Sequence, residues 1–192
     1  MGWKIYHPHS KYRGEILIFK ETKLPGVYII EPEVLEDERG WFARTFCRKE
    51  FKCHELNPDI SQCSISLNKK KGTLRGMHYQ LKPYEEAKLI QCTQGAIHDV
   101  IVDLRSGSPT FRKWIAVELS EKNKKMIYIP EGFAHGFQTL TDNVGVFYQM
   151  SQFYSSDHAR GFRWNDPSFN INWPPDTRII SPKDQSYPDF TS

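Results

Sequence analysis

Short apolar-rich runs alternate with turn residues along most of this 192-residue chain. Gly, Pro, Asn, Asp and Ser recur about every 8–12 residues, the punctuation of an all-β sandwich or barrel. The runs predict strands at residues 26–30, 41–46, 62–67, 72–79, 87–93, 96–104, 114–119, 125–129, 135–139 and 144–153. Only 48–56 reads as a helix, with Phe51 and Leu56 as its apolar positions. Side chains alternate in direction along a strand, so two runs can be read face by face. In 96–104, Ile97, Asp99, Ile101 and Asp103 share one face, and His98, Val100, Val102 and Leu104 share the other. Apolar residues on both faces predict burial on both sides. In 144–153, Tyr148 falls in phase with Val146, Met150 and Gln152. Antiparallel sheets packed face to face, with closely spaced turns, predict a jelly roll with a few short helices. Residues 170–192, rich in Pro, Asp and Trp, are expected to wrap over a sheet without regular structure.

Composition adds limits. Twelve Phe, nine Tyr and five Trp suit pleated surfaces. The length fits one domain over 1–192, with the polar stretch 1–14 as a flexible extension. The net charge is +3 and the longest basic run is Lys69-Lys-Lys71, so no nucleic-acid partner is expected. Apolar runs stop at four residues, which excludes a membrane-spanning helix and a signal-peptide core. Cys47, Cys53, Cys63 and Cys92 form no C-x-x-C pair. They are expected to be reduced, in a cytoplasmic protein.

Two segments carry chemistry: Gly72-Thr-Leu-Arg-Gly-Met-His-Tyr-Gln80 and Ile129-Pro-Glu-Gly-Phe-Ala-His-Gly-Phe137. They resemble the two halves of a cupin signature, G-x5-H-x-H and P-x-G-x-x-H-x3-N. Here Gln80 replaces the second His and Thr139 the Asn. His78 and His135 with Glu85 or Glu86 would make a two-His-one-carboxylate metal site, as in a metal-dependent cupin oxygenase. Gln is a poor ligand, so no metal is expected.

In its ordered motifs the chain resembles the dTDP-4-dehydrorhamnose 3,5-epimerase family, cupins that work without metal or cofactor. The matching segments include Leu24-Pro-Gly-Val27, Asp37-Glu-Arg-Gly-Trp-Phe42, Gly72 to Gln80, Ala87-Lys-Leu89, Asp99-Val-Ile-Val-Asp103, Ser108-Pro-Thr110, Ile129 to Phe137, Arg163-Trp-Asn-Asp-Pro167 and Ser181-Pro-Lys-Asp184. They span about residues 22 to 190. The resemblance implies a cupin-type double-stranded β-helix and a nucleotide-linked 4-keto-6-deoxyhexose as substrate. The ketone acidifies the C3 and C5 protons, so a base, an enolate stabiliser and an opposing acid suffice. By resemblance His78 is the base, oriented by Asp184, as a carboxylate orients His in a catalytic triad. Lys88 stabilises the enolate and Tyr148 is the acid. Arg39, Gln62, Arg75, His135 and Lys183 contact the nucleotide sugar, and Tyr154, with Phe42 less strongly indicated, walls the base. The family also implies a homodimer in which Arg39 reaches the neighbouring subunit's site.

Asp99 and Asp103 are rival partners for His78, and His98 reads as structural. Ser64 stands where the family commonly has Asn, and Ala159 where it often has Glu. These departures leave a 3- or 5-mono-epimerase open. A metal-dependent oxygenase and a degenerate module that binds nucleotide sugar without turnover are open as well.

Overall fold

The computed structural model describes residues 16–191. The expected extension at 1–14 lies outside the described residues. In chain order the elements are β1 Leu17–Glu21, β2 Tyr28–Pro32, β3 Val34–Asp37, β4 Gly40–Ala43, α1 Arg48–Cys53, β5 Gln62–Asn68, β6 Thr73–Gln80, β7 Lys88–Gln94, β8 Ala96–Asp103, β9 Trp114–Ser120, β10 Met126–Ile129, β11 Phe133–Thr139, β12 Val144–Met150, β13 Ala159–Gly161, β14 Ile179–Ile180 and α2 Pro182–Gln185. One sheet runs β1-β2-β10-β7-β12-β5. The other runs β13-β6-β11-β8-β9, with β14 added in parallel to β6. A separate hairpin joins β3 and β4.

The two sheets face each other as the predicted jelly roll. Ile90, Cys92 and Val146 from the first sheet meet Ile97, Ile101, Leu119 and Phe137 from the second in a buried core. Two further apolar layers lie outside. Phe51 and Leu56 cover Leu89, Met126 and Tyr128 on the first sheet. Phe162, Phe169 and the tail residues Trp173 and Phe190 cover Met77, Val100, Val102 and Ala134 on the second. Hence β8 is apolar on both faces: Ile97 and Ile101 point between the sheets, Val100 and Val102 toward the tail. His98 packs against Trp173, and its burial lowers the imidazole pKa, which fits a structural residue.

Several expectations change. The helix stops at Cys53 rather than at residue 56, because Glu55 takes a left-handed φ of 58° that no helix continues. The strand expected at 144–153 ends at Met150, where the chain leaves the sheet. The tail does wrap, but it also holds β14 and α2. Ser181 caps α2 by accepting the Asp184 N–H at 3.0 Å, and Pro182 follows at the first turn. Among the described residues, no helix is long and apolar enough to cross a membrane.

Asp103 anchors the loop after β8 rather than partnering His78. It accepts from Arg105 Nε at 2.9 Å, Ser108 Oγ at 2.6 Å and Thr110 Oγ1 at 2.6 Å. Burial opposes its ionisation, but these donors outweigh burial and hold its pKa at about 2. A depressed carboxylate stabilises the fold above its unfolded pKa of about 3.9, and that contribution disappears as pH falls through the folded value. That depression corresponds to about 2–3 kcal/mol. Urea unfolding should therefore show Asp103→Asn less stable than the parent at pH 7, with the gap closing between about pH 4 and pH 2. A gap independent of pH would contradict this.

Candidate active site

A cavity of about 570 Å³ opens between the sheets. Arg75, His78, Lys88, His135 and Tyr148 line it, as do Gln62, Tyr154 and Lys183. Asp184 stands directly behind His78.

Strict alternation would send Arg75 and His78 to opposite faces of β6. The ladder to β11 prevents this. His135 pairs with His78 but Phe137 pairs with Arg75, so β6 carries one extra residue between them. This bulge turns both side chains into the cavity. It also needs glycine: Gly76 has a φ of 133°, and a Cβ there would lie 2.6 Å from Gly136 Cα. Gly76→Ala is expected to destabilise the fold by about 1–3 kcal/mol from crowding, in addition to the left-handed strain. It should also weaken activity by pushing β6 from β11, measurable as a lowered melting temperature with reduced kcat. A variant with unchanged melting and activity would contradict the close approach.

Two His–carboxylate pairs stand side by side. His78 Nε2 lies 2.8 Å from Asp184 Oδ1. Burial would raise the Asp184 pKa, but the His78 contact, the Gly76 N–H and the Ser181 hydroxyl hold it below the usual range. An ionised carboxylate only accepts, so His78 Nε2 carries the hydrogen, and in the neutral ring Nδ1 is the nitrogen with the lone pair. His135 Nε2 lies 2.7 Å from the fully buried Asp99 Oδ1. Each rival carboxylate in β8 thus has another task.

The first sheet supplies the opposite wall. Lys88 Nζ pairs with Glu86 at 3.1 Å. Tyr148 Oη lies 3.1 Å from Ser66 Oγ. Burial pushes the Tyr148 phenol up to about 12, so it keeps its proton at neutral pH. Gln62 Oε1 accepts the Tyr154 N–H at 2.6 Å, and Gln80 Oε1 accepts the Ser155 N–H at 2.7 Å. Gln80, at the position of the second cupin His, therefore fixes the loop that carries Tyr154.

Arg39 and Phe42 do not reach this cavity within one chain. Arg39 pairs with Asp37 on the β3–β4 hairpin, and Phe42 is exposed there. The ligands of the two-His-one-carboxylate site do not converge either. Glu86 lines the cavity but pairs with Lys88, and Glu85 lines a separate depression beside Arg105. Among the described residues, no three His, Cys, Asp or Glu side chains are grouped to hold a metal ion. Ser66, Asn68 and Tyr187 were not singled out from sequence, yet Tyr187 lies against His78 with ring centroids 5.8 Å apart. They sit among ordinary strand and tail residues, where no motif marks them.

Fold and site together define a cupin jelly roll whose cavity sets a His on one sheet, paired with Asp184 of α2, opposite a protonated phenol on the other. The match to the model of the dTDP-4-dehydrorhamnose 3,5-epimerases extends over residues 21–192. The chain belongs to that family, a family of isomerases. The dTDP-4-dehydrorhamnose 3,5-epimerase of Shigella flexneri is 45% identical over 165 residues, covering 85% of this chain and 91% of that protein. The crystal structure of the Bacillus anthracis dTDP-4-dehydrorhamnose 3,5-epimerase with TDP and PPi bound has a TM-score of 0.88 at 39% identity, covering 91% of this chain and 100% of that one. A Legionella pneumophila dTDP-6-deoxy-D-glucose-3,5-epimerase in complex with dTDP-4-keto-L-rhamnose has a TM-score of 0.85 at 33% identity, covering 92% and 100%.

Proposed function

We propose that this chain epimerises C3 and C5 of dTDP-4-dehydro-6-deoxy-D-glucose, giving dTDP-4-dehydro-L-rhamnose. The observation that carries the proposal is the facing pair: His78, backed by Asp184, on the second sheet, and Tyr148 on the first. A sugar ring between them meets a base on one face and an acid on the other. His78 Nδ1 takes the proton from C3 or C5. The electron pair moves onto the C4 oxygen, where Lys88 offsets the charge that develops. Tyr148 then protonates the carbon from the opposite side, and the C4 carbonyl re-forms. The substrate's own ketone holds the electrons, so the step needs no cofactor.

Arg75 and Lys183 are suited to the diphosphate, since both place cationic donors at the cavity wall. His135 contacts the sugar and Tyr154 stacks on the thymine. The proposal extends to a cytoplasmic homodimer in which Arg39 reaches the partner's cavity. The homodimer is supported by edge strand β5, where Ile65 and Leu67 are 72% and 61% exposed, a patch suited to cover by a second copy.

Ser64 and Ala159 both line the cavity, which favours one narrower reading, a mono-epimerase. Incubation with dTDP-4-dehydro-6-deoxy-D-glucose, followed by proton NMR of the product, separates the two. Inversion at both carbons is the expected result. Inversion at one selects the mono-epimerase, and recovery of unchanged sugar contradicts both.

A further inference from the structure

Tyr148 must release its proton toward the sugar and then exist briefly as a phenolate inside the fold. Its hydroxyl ends a chain of polar groups. Arg75 Nε donates to Asn68 Oδ1 at 2.7 Å. Asn68 Nδ2 approaches the Val144 carbonyl at 3.2 Å and Ser66 Oγ at 3.3 Å. Ser66 Oγ lies 3.1 Å from Tyr148 Oη. Register explains the alignment. Ser66 pairs with Val146 and Ser64 with Tyr148, so Ser66 sits diagonally beside Tyr148 on the same face.

The direction of the chain follows from which groups can only donate or only accept. Arg75 Nε can only donate, and the Val144 carbonyl can only accept. Together they fix the buried Asn68 amide, oxygen toward Arg75 and nitrogen toward Ser66. Ser66 Oγ therefore accepts from Asn68, and its own hydrogen is left for Tyr148 Oη.

We propose that Ser66 is a positioning residue for the general acid: it donates to Tyr148 Oη, which leaves the phenol's own hydrogen aimed at the substrate and gives the phenolate a donor once that hydrogen has gone. Asn68 sets the direction of that donation, and Arg75 polarises it. In the step itself, the Tyr148 O–H bond breaks and the new C–H bond forms, while the enolate electron pair becomes that bond. Solvent later returns a proton to the phenolate, and Ser66 keeps its own throughout. The direction of the Tyr148 pKa contributions agrees: burial raises it, whereas the Ser66 hydrogen bond and the Arg75 charge lower it.

The inference rests on the epimerase assignment, so the parent protein is measured first. A parent that inverts neither carbon overturns the assignment and this proposal with it. With an active parent, Ser66→Ala is expected to lower kcat for inverted product by about 10- to 100-fold, the range for a lost hydrogen bond to a charged group. KM should stay within about twofold, and solvent deuterium should still enter the substrate without inversion. Ser66→Thr, which keeps the hydroxyl, should restore kcat to within about threefold of the parent. Asn68→Asp turns the amide donor into an acceptor and draws the Ser66 hydrogen away from Tyr148, so it should show the alanine signature with Ser66 intact. The proposal is overturned if Ser66→Ala inverts at the parent rate, if its exchange and inversion fall together, or if Thr is no better than Ala. Should Ser66→Ala fail to fold, Asn68→Asp decides: parent-like inversion overturns the proposal, and exchange without inversion supports it.

Discussion

His78→Ala is expected to lower turnover by roughly 10²–10⁴-fold, the usual contribution of a positioned general base. The loss should appear in proton abstraction itself, so exchange of the substrate's C3 and C5 protons with solvent should fall as far as product formation does. Folding should survive. The His78 side chain is 40% exposed at the cavity wall, and no core cluster depends on it. Nucleotide affinity should change little, because the cationic wall of Arg75 and Lys183 remains. Asp184→Asn should act in the same direction through His78: the amide fixes the ring less well and gives an imidazolium no counter-charge. Rapid exchange in His78→Ala would assign the base elsewhere, with His135 the next candidate at the adjacent position of β11.

Tyr148→Phe should separate the two half-reactions. The substitution removes one oxygen and keeps the ring that packs against the inter-sheet core. His78 still abstracts the proton, exchanges it with solvent and returns a deuteron to the same face. The variant should therefore label C3 and C5 in heavy water while forming inverted product roughly 10²–10⁴-fold more slowly. Melting temperature and dTDP binding should match the parent. If exchange and inversion disappear together, Tyr148 takes part in abstraction and the division of roles is wrong.

Much of the fold was legible in the sequence, for identifiable reasons. The ten expected strand segments map onto observed strands because their alternation and turns are local signals. The two-faced burial of β8 could be read from Ile97, Ile101, Val100 and Val102. Apart from β3, which pairs locally with β4, what was missed depends on distant partners. Apolar β1 gains its place from β2 and from Phe51 of α1. The tail strand β14 exists only through parallel pairing with β6. The bulge at Gly76 re-phases β6, so face-by-face reading alone would have separated Arg75 from His78. Strand β5 is inverted, with the polar Gln62, Ser64 and Ser66 lining the cavity, Asn68 buried and the apolar Leu67 61% exposed. A polar inner face reads as a solvent face until the cavity behind it is seen. Asp184 came only from its family motif, since nothing in Ser181-Pro-Lys-Asp184 announces a histidine more than a hundred residues away.

Transfer of protons between opposite faces, at the carbons flanking a ketone, is the central claim. Its most direct measurement is the reaction of the parent protein with dTDP-4-dehydro-6-deoxy-D-glucose in heavy water, followed by NMR at C3 and C5. Deuterium should replace hydrogen at both carbons, and both should invert. Product or recovered substrate with hydrogen retained at both positions would contradict the claim.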